Sequence, residues 1–128
     1  MKFTGSVLLV DDEPHIRKFV GLILKKLGVS AIFEAGNGED AIAMFQREKP
    51  DVVLIDVNMP FMSGMEALKK IREIDPDCVA IMLSSLANRE TVDEAIALGA
   101  VGYIRKDTPK EEIARDLAET IDACFEPG

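Results

Sequence analysis

What the chain has little of sets the first limits. Cysteine is scarce: Cys78 and Cys124 are the only two, and they lack the paired spacing of a zinc ligand set or a disulfide framework. A reducing, cytoplasmic setting is expected. Positive charge is short as well, since 15 lysines and arginines against 23 acids leave a net charge of −8. With no basic tract to release counterions or rest on anionic lipid, neither nucleic acid nor a membrane is an expected partner. Protein or small-molecule partners are expected instead. No apolar run approaches the roughly 18 residues of a membrane-spanning helix, and the stretch from Met1 to Ser6 is too short and wrongly flanked for a signal peptide. Linkers, low-complexity tracts and repeats are missing too. The 128 residues, 48% hydrophobic, are therefore expected to form one domain, with its core between about residues 6 and 125 and no attached output module.

What is present is a recurring unit, a short apolar run followed by an amphipathic helix. Val52 to Ile55 is the clearest run, rich in β-branched residues, ending in Asp56 and closed by the turn signal Met59-Pro60. Such a run reads as a strand buried on both faces, as in a parallel sheet. Ser6 to Val10 repeats the pattern and enters Asp11, Asp12 and Glu13, after which Pro14 suits the first turn of a helix carrying Ile16, Phe19, Val20, Ile23 and Leu27 up to Gly28. Ala31 to Glu34 is a second strand. It passes through Gly36-Asn37-Gly38, an ordinary turn without a phosphate-loop ending, into a helix over about 39–48. Ser63 and Glu66 form a capping box for a helix with Leu68 and Ile71 inward. A fourth strand, Val79 to Leu83, reaches Ser84 and Ser85, and a helix from about Asn88 to Leu98 is expected to bury Val92, Ala95 and Ile96. A fifth strand, Val101 to Ile104, ends in Arg105 and Lys106. Thr108-Pro109-Lys110-Glu111 is then a second capping box, with proline first in a helix that turns Ile113, Leu117, Ile121 and Phe125 inward. Five alternating strands and helices with short connections predict an α/β fold, a parallel sheet covered on both faces. Pattern alone leaves the strand order open.

If all strands point one way, their carboxyl edge gathers Asp11, Asp12, Asp56, Ser84, Ser85 and Lys106, where ligands bind in open α/β sheets. Crowded carboxylates repel one another, and a hard divalent cation such as Mg²⁺ relieves them while keeping positions open for phosphate oxygens. A carboxylate there can act as a nucleophile toward phosphorus, with a lysine and a hydroxyl stabilising the transferring group. Each residue also has a plainer reading: helix-dipole partners for Asp11 and Asp12, a solvated loop charge for Lys106, turn residues for the serines. Asp56 resists one, because an acid directly after four buried apolar residues needs a partner.

These residues in this order resemble the receiver domain of two-component response regulators, and the single-domain chemotaxis regulators in particular. The pieces are Leu8-Leu9-Val10-Asp11-Asp12, then Asp56-Val57-Asn58-Met59-Pro60 with Gly64 beyond, Ser84, and Gly99-Ala100-Val101-Gly102-Tyr103-Ile104-Arg105-Lys106. The resemblance covers essentially the whole chain. It implies a flavodoxin-like (βα)5 fold with strand order 2-1-3-4-5 and a phosphorylation-activated switch. Asp56 is the implied phosphoacceptor, supplied by a phosphohistidine on a sensor histidine kinase or phosphotransfer protein. Asp12, Asp56 and the Asn58 backbone carbonyl are the implied Mg²⁺ ligands, with Asp11 acting through water. Lys106 and Ser84 are implied to contact the phosphoryl group. Tyr103 is implied to rotate inward, remodelling the face of the fourth helix, fifth strand and fifth helix for a downstream target.

This sequence departs from the family pattern in places. Asp107 follows the lysine where the family usually has a proline in a cis peptide. Ser84 replaces the commoner threonine, Ser85 stands where alanine is frequent, and Ser63 takes an often acidic position. An alternative from another class is a stand-alone metal-dependent phosphohydrolase with an aspartyl-phosphate intermediate. Such enzymes commonly carry a general acid two residues after the nucleophile, where this chain has Asn58. The expectation is an acceptor with slow self-dephosphorylation and not an enzyme.

Overall fold

The computed structural model describes residues 3–85 and 88–125, so the outermost residues of the expected domain, 1–2 and 126–128, lie outside the described residues. Strands β1 (Ser6–Val10), β2 (Ala31–Ala35), β3 (Val52–Asp56), β4 (Val79–Ser84) and β5 (Gly102–Arg105) alternate with helices α1 (Pro14–Lys26), α2 (Gly38–Glu48), α3 (Gly64–Ile74), α4 (Arg89–Ala97) and α5 (Lys110–Phe125). The strands form one parallel sheet in the order β2-β1-β3-β4-β5. This is the flavodoxin-like arrangement.

Strand periodicity divides the core. Side chains alternate between sheet faces, so Val7 and Leu9, Val52 and Leu54, Ile81 and Leu83 point one way. They pack with Val20, Ile23 and Leu24 of α1 and Ile113, Leu117 and Ile121 of α5. Leu8 and Val10, Val53 and Ile55, Ala80 and Met82 point the other way, against Ala41 and Phe45 of α2, Leu68 and Ile71 of α3 and Ala95 of α4. Each fully buried large side chain contributes about 1.5–3 kcal/mol. The central strand β3 is buried along its whole length, as its unbroken apolar run predicts.

Local signals account for most boundaries. Asn37 caps α2, its side chain accepting from the Asp40 amide at 2.8 Å, which gives the Gly36-Asn37-Gly38 turn its role. Ser63 accepts from the Glu66 amide at 3.2 Å as its capping box predicts. Gly28 ends the first helical unit at φ +101°, a left-handed conformation that favours glycine.

Four expectations differ in detail. Ile96 is 63% exposed and Val92 only partly buried, because Ala95, with Leu98 just beyond the helix, supplies the inward side of the short α4. Phe125 is 40% exposed, its ring against Phe3 with centroids 4.7 Å apart. Val101 precedes β5 and is 47% exposed. The last helix starts one residue later than the second capping box predicts: α5 begins at Lys110, the Glu112 and Ile113 amides both donate to the Pro109 carbonyl, and the Thr108 hydroxyl donates to the Arg105 carbonyl.

Candidate functional site

Parallel strands deliver their carboxyl ends to one edge. β1 runs into Asp11 and Asp12, β3 ends at Asp56, β4 at Ser84, and β5 is followed by Lys106. Asp11 and Ser84 are fully buried and Asp56 is 4% exposed, whereas Asp12 is exposed. A buried carboxylate without a counter-charge costs several kcal/mol (about 3–5 when a partner is removed). Lys106 supplies that charge, its Nζ lying 2.6 Å from Asp11 Oδ2 and 3.0 Å from Asp56 Oδ1. One ammonium thus bridges two carboxylates, leaving the cluster negative before Asp12 is counted.

Backbone groups hold the acids in place. Asp11 Oδ1 accepts from the Glu13 amide at 2.9 Å, and the Asp11 carbonyl accepts from Arg17 Nη1 at 2.6 Å. Asp56 Oδ1 receives a long bond, 3.4 Å, from the Asn58 amide. The Lys106 amide donates to the Ser84 carbonyl at 2.9 Å, tying the ends of β4 and β5 together. Tyr103 is half-buried in β5 and packs with the α2, α3 and α4 side of the core. Asn58 is exposed two residues beyond the strand.

Electrostatics follow from burial. Desolvation pushes the Asp56 carboxyl from an ordinary 3.8 to about 6, with the Asp11 charge adding to the rise and Lys106 opposing it. Burial also pulls the Lys106 ammonium down, but the two carboxylates outweigh it and its pKa rises. Asp11, Asp12 and Asp56 each offer an oxygen within 4.8 Å of the others. Asp11 Oδ2 is buried without an aligned hydrogen bond, meeting Lys106 as an ion pair. Two buried carboxylates sharing one ammonium, with a third carboxylate beside them, fit a hard divalent cation.

Sequence reasoning missed the supporting groups. Arg17, which also pairs with Glu34 at 3.1 Å, sits on α1 with no motif to mark it. Gly64 was visible, but its reason is spatial: an added Cβ would overlap the Asp56 carbonyl oxygen, while the Gly64 amide donates to the Val57 carbonyl at 2.8 Å. Beside the carboxylates lies an open groove of about 540 Å³, bounded by Asp12, Gly38, Pro60 and Met62.

Fold and site together define a class: a flavodoxin-like domain with an acidic, lysine-bridged crevice at the carboxyl edge of its sheet. Within that class, residues 7–118 match the response regulator receiver domain, and the chain belongs to that family. It is 39% identical over 111 residues to the chemotaxis protein CheY of Thermotoga maritima, covering 87% of this chain and 92% of that protein. It is 43% identical over 108 residues to the uncharacterized transcriptional regulatory protein YxjL of Bacillus subtilis, covering 84% of this chain but 50% of that one. The chain thus spans about half the length of one relative and nearly all of another. Its fold matches the CheX-CheY-BeF3-Mg²⁺ complex of Borrelia burgdorferi with a TM-score of 0.86 at 27% identity, covering 95% of this chain and 90% of that one. The acidic triad is typical of the Mg²⁺ site of receiver domains. Among the described residues, no helix is long and apolar enough to cross a membrane.

Proposed function

We propose that this chain, acting as a single receiver domain over residues 1–128, is a phosphorylation-activated switch with Asp56 as its acceptor. The observation that carries the proposal is the buried Asp56 carboxylate, bridged through Lys106 to Asp11 at the open edge of the sheet. Desolvation makes this carboxylate more basic than an exposed aspartate, which favours nucleophilic attack. An Asp56 oxygen forms a bond to the phosphorus of a phosphohistidine as the N–P bond breaks, and the imidazole nitrogen keeps the electron pair and takes a proton. A sensor histidine kinase or a phosphotransfer protein in the cytoplasm is the donor.

Asp12, Asp56 and the Asn58 carbonyl would hold Mg²⁺, with Asp11 acting through water; the ion supplies charge neutralisation for phosphoryl transfer. Lys106 leaves its ion pair with Asp56 and follows the charge onto the phosphoryl oxygens. Ser84 donates a hydrogen bond to that group, and Tyr103 turns toward the space Ser84 leaves. The α4-β5-α5 face changes with them, and exposed Ile96 and Val101 give it apolar contacts for a target protein. Asn58, two residues beyond Asp56, has no proton to donate usefully, which supports slow loss of the phosphoryl group over repeated hydrolysis. The CheY of Borrelia, solved with BeF3, Mg²⁺ and CheX, supports both the ligand and a protein partner.

Incubation with acetyl phosphate and Mg²⁺, read by intact mass, tests the assignment. Wild type is expected to gain one phosphoryl group and Asp56→Asn none. Equal labelling of the mutant refutes it.

A further inference from the structure

Between β5 and α5 the chain turns past the site through Arg105, Lys106, Asp107 and Thr108, and this turn is braced across the lysine. Arg105 Nε donates to Asp107 Oδ1 at 3.1 Å and Arg105 Nη2 donates to Asp107 Oδ2 at 2.8 Å. The pair is two-pronged, the geometry in which guanidinium and carboxylate interact most strongly. The Thr108 hydroxyl donates to the Arg105 carbonyl at 3.0 Å, closing the same turn from the other side. Both clamped side chains are about half exposed, at 52% and 49%, while that of Lys106 keeps 14%. Lys106 and Asp107 form the turn that follows β5, and within it the paired Arg105 and Asp107 side chains lie toward solvent while that of Lys106 reaches the buried carboxylates.

We infer that Asp107 is a positioning residue for phosphoryl transfer, holding Arg105 in a two-pronged pair that keeps the Lys106 ammonium between Asp11 and Asp56. The inference rests on the proposed role of Asp56 and deepens it. The chemistry asks for a fixed cation: a lysine on a long, freely rotating stem stabilises transferring charge only when its direction is set beforehand. The clamp sets that direction at the backbone on both sides of Lys106. It also occupies the Arg105 guanidinium, keeping a second cation from competing for the carboxylates. Aspartate suits the role because both of its oxygens are engaged at once. Asparagine would leave one prong without an acceptor, and lysine at 105 would lose the planar fork.

The experiment uses the full chain and compares wild type with Asp107→Asn, Arg105→Lys and the double variant. Labelling rate with acetyl phosphate at saturating Mg²⁺, Mg²⁺ affinity by calorimetry, and thermal midpoint are measured for each. Each single variant is expected to label about five-fold more slowly, the scale of a well-formed exposed ion pair. The double variant should be no slower than either single, because both remove one clamp. Mg²⁺ should bind as tightly or more tightly, since a loosened Lys106 competes less for Asp11 and Asp56. The thermal midpoint should move little. A merely structural defect would instead weaken Mg²⁺ binding and lower the midpoint along with the rate, and that pattern overturns the inference. So do unchanged labelling by Asp107→Asn and additive losses in the double variant. Absence of any labelling in wild type is the distinct failure that removes the proposed function and this inference with it.

Discussion

Replacing the acceptor should stabilise the metal-free protein. Asp56→Asn keeps the shape of the side chain and removes a charge that burial disfavours. In the folded chain the carboxyl is raised from an ordinary 3.8 to about 6, so between those values the folded state holds its proton while the unfolded state has released it. The folded state then binds more protons, and wild-type stability falls as pH rises through that window. At about 1.36 kcal/mol for each tenfold change in proton affinity, the rise corresponds to about 3 kcal/mol lost by pH 7. Asparagine avoids this cost, and the raised value already reflects the 3.0 Å contact to Lys106, so nothing further is subtracted for it. Asp56→Asn is therefore expected to be about 3 kcal/mol more stable than wild type at pH 7. Urea unfolding of both proteins in a chelator at several pH values measures the difference directly, because groups common to both cancel. The advantage should shrink toward zero as pH drops below about 4, where the wild-type carboxyl is protonated in both states. Saturating Mg²⁺ should also narrow it by stabilising wild type preferentially. A mutant less stable than wild type at pH 7 in chelator, or a gap indifferent to pH, refutes this account of the site.

Lys106→Met should slow labelling by acetyl phosphate by about 100-fold, the scale of losing one preorganised charge at a developing anion, while Mg²⁺ titration by calorimetry shows no loss of affinity. Weaker Mg²⁺ binding would mean that the lysine organises the acids more than it competes with the ion. Gly64→Ala, by driving a methyl group into the Asp56 carbonyl, should cost about 1–3 kcal/mol in urea unfolding and reduce labelling; a neutral result would show that the β3–α3 turn yields freely. Leu54→Ala, at a position of 0% exposure, should cost about 2–5 kcal/mol, whereas Ile96→Ser at 63% exposure should stay within about 0.5 kcal/mol. Comparable losses at the two sites would contradict the division between core and surface.

Much of the fold is legible in one dimension because its signals are local. Apolar runs such as Val52 to Ile55 declare buried parallel strands, and Ser63 with Glu66 declares a helix start that the 3.2 Å bond realises. Where local signals compete, reading fails by small amounts. Thr108 satisfies the Arg105 carbonyl and so leaves the helix start to Pro109. In the short α4, Ala95 takes the inward position and leaves Ile96 in solvent, since a helix of few turns offers only a narrow stripe to the sheet.

The sequence by itself determined the alternation of strands and helices and which carboxylates, hydroxyls and lysine stand at strand ends, because period and position are properties of neighbouring residues. Tertiary structure alone decided that Asp11 is sealed from solvent while Asp12 is not, that one ammonium bridges Asp11 and Asp56, and that Gly64 has no room for a side chain. Desolvation and ion pairing depend on atoms brought together from distant parts of the chain. The electrostatic character of Asp56 is therefore a property of the packed sheet edge and not of the residue.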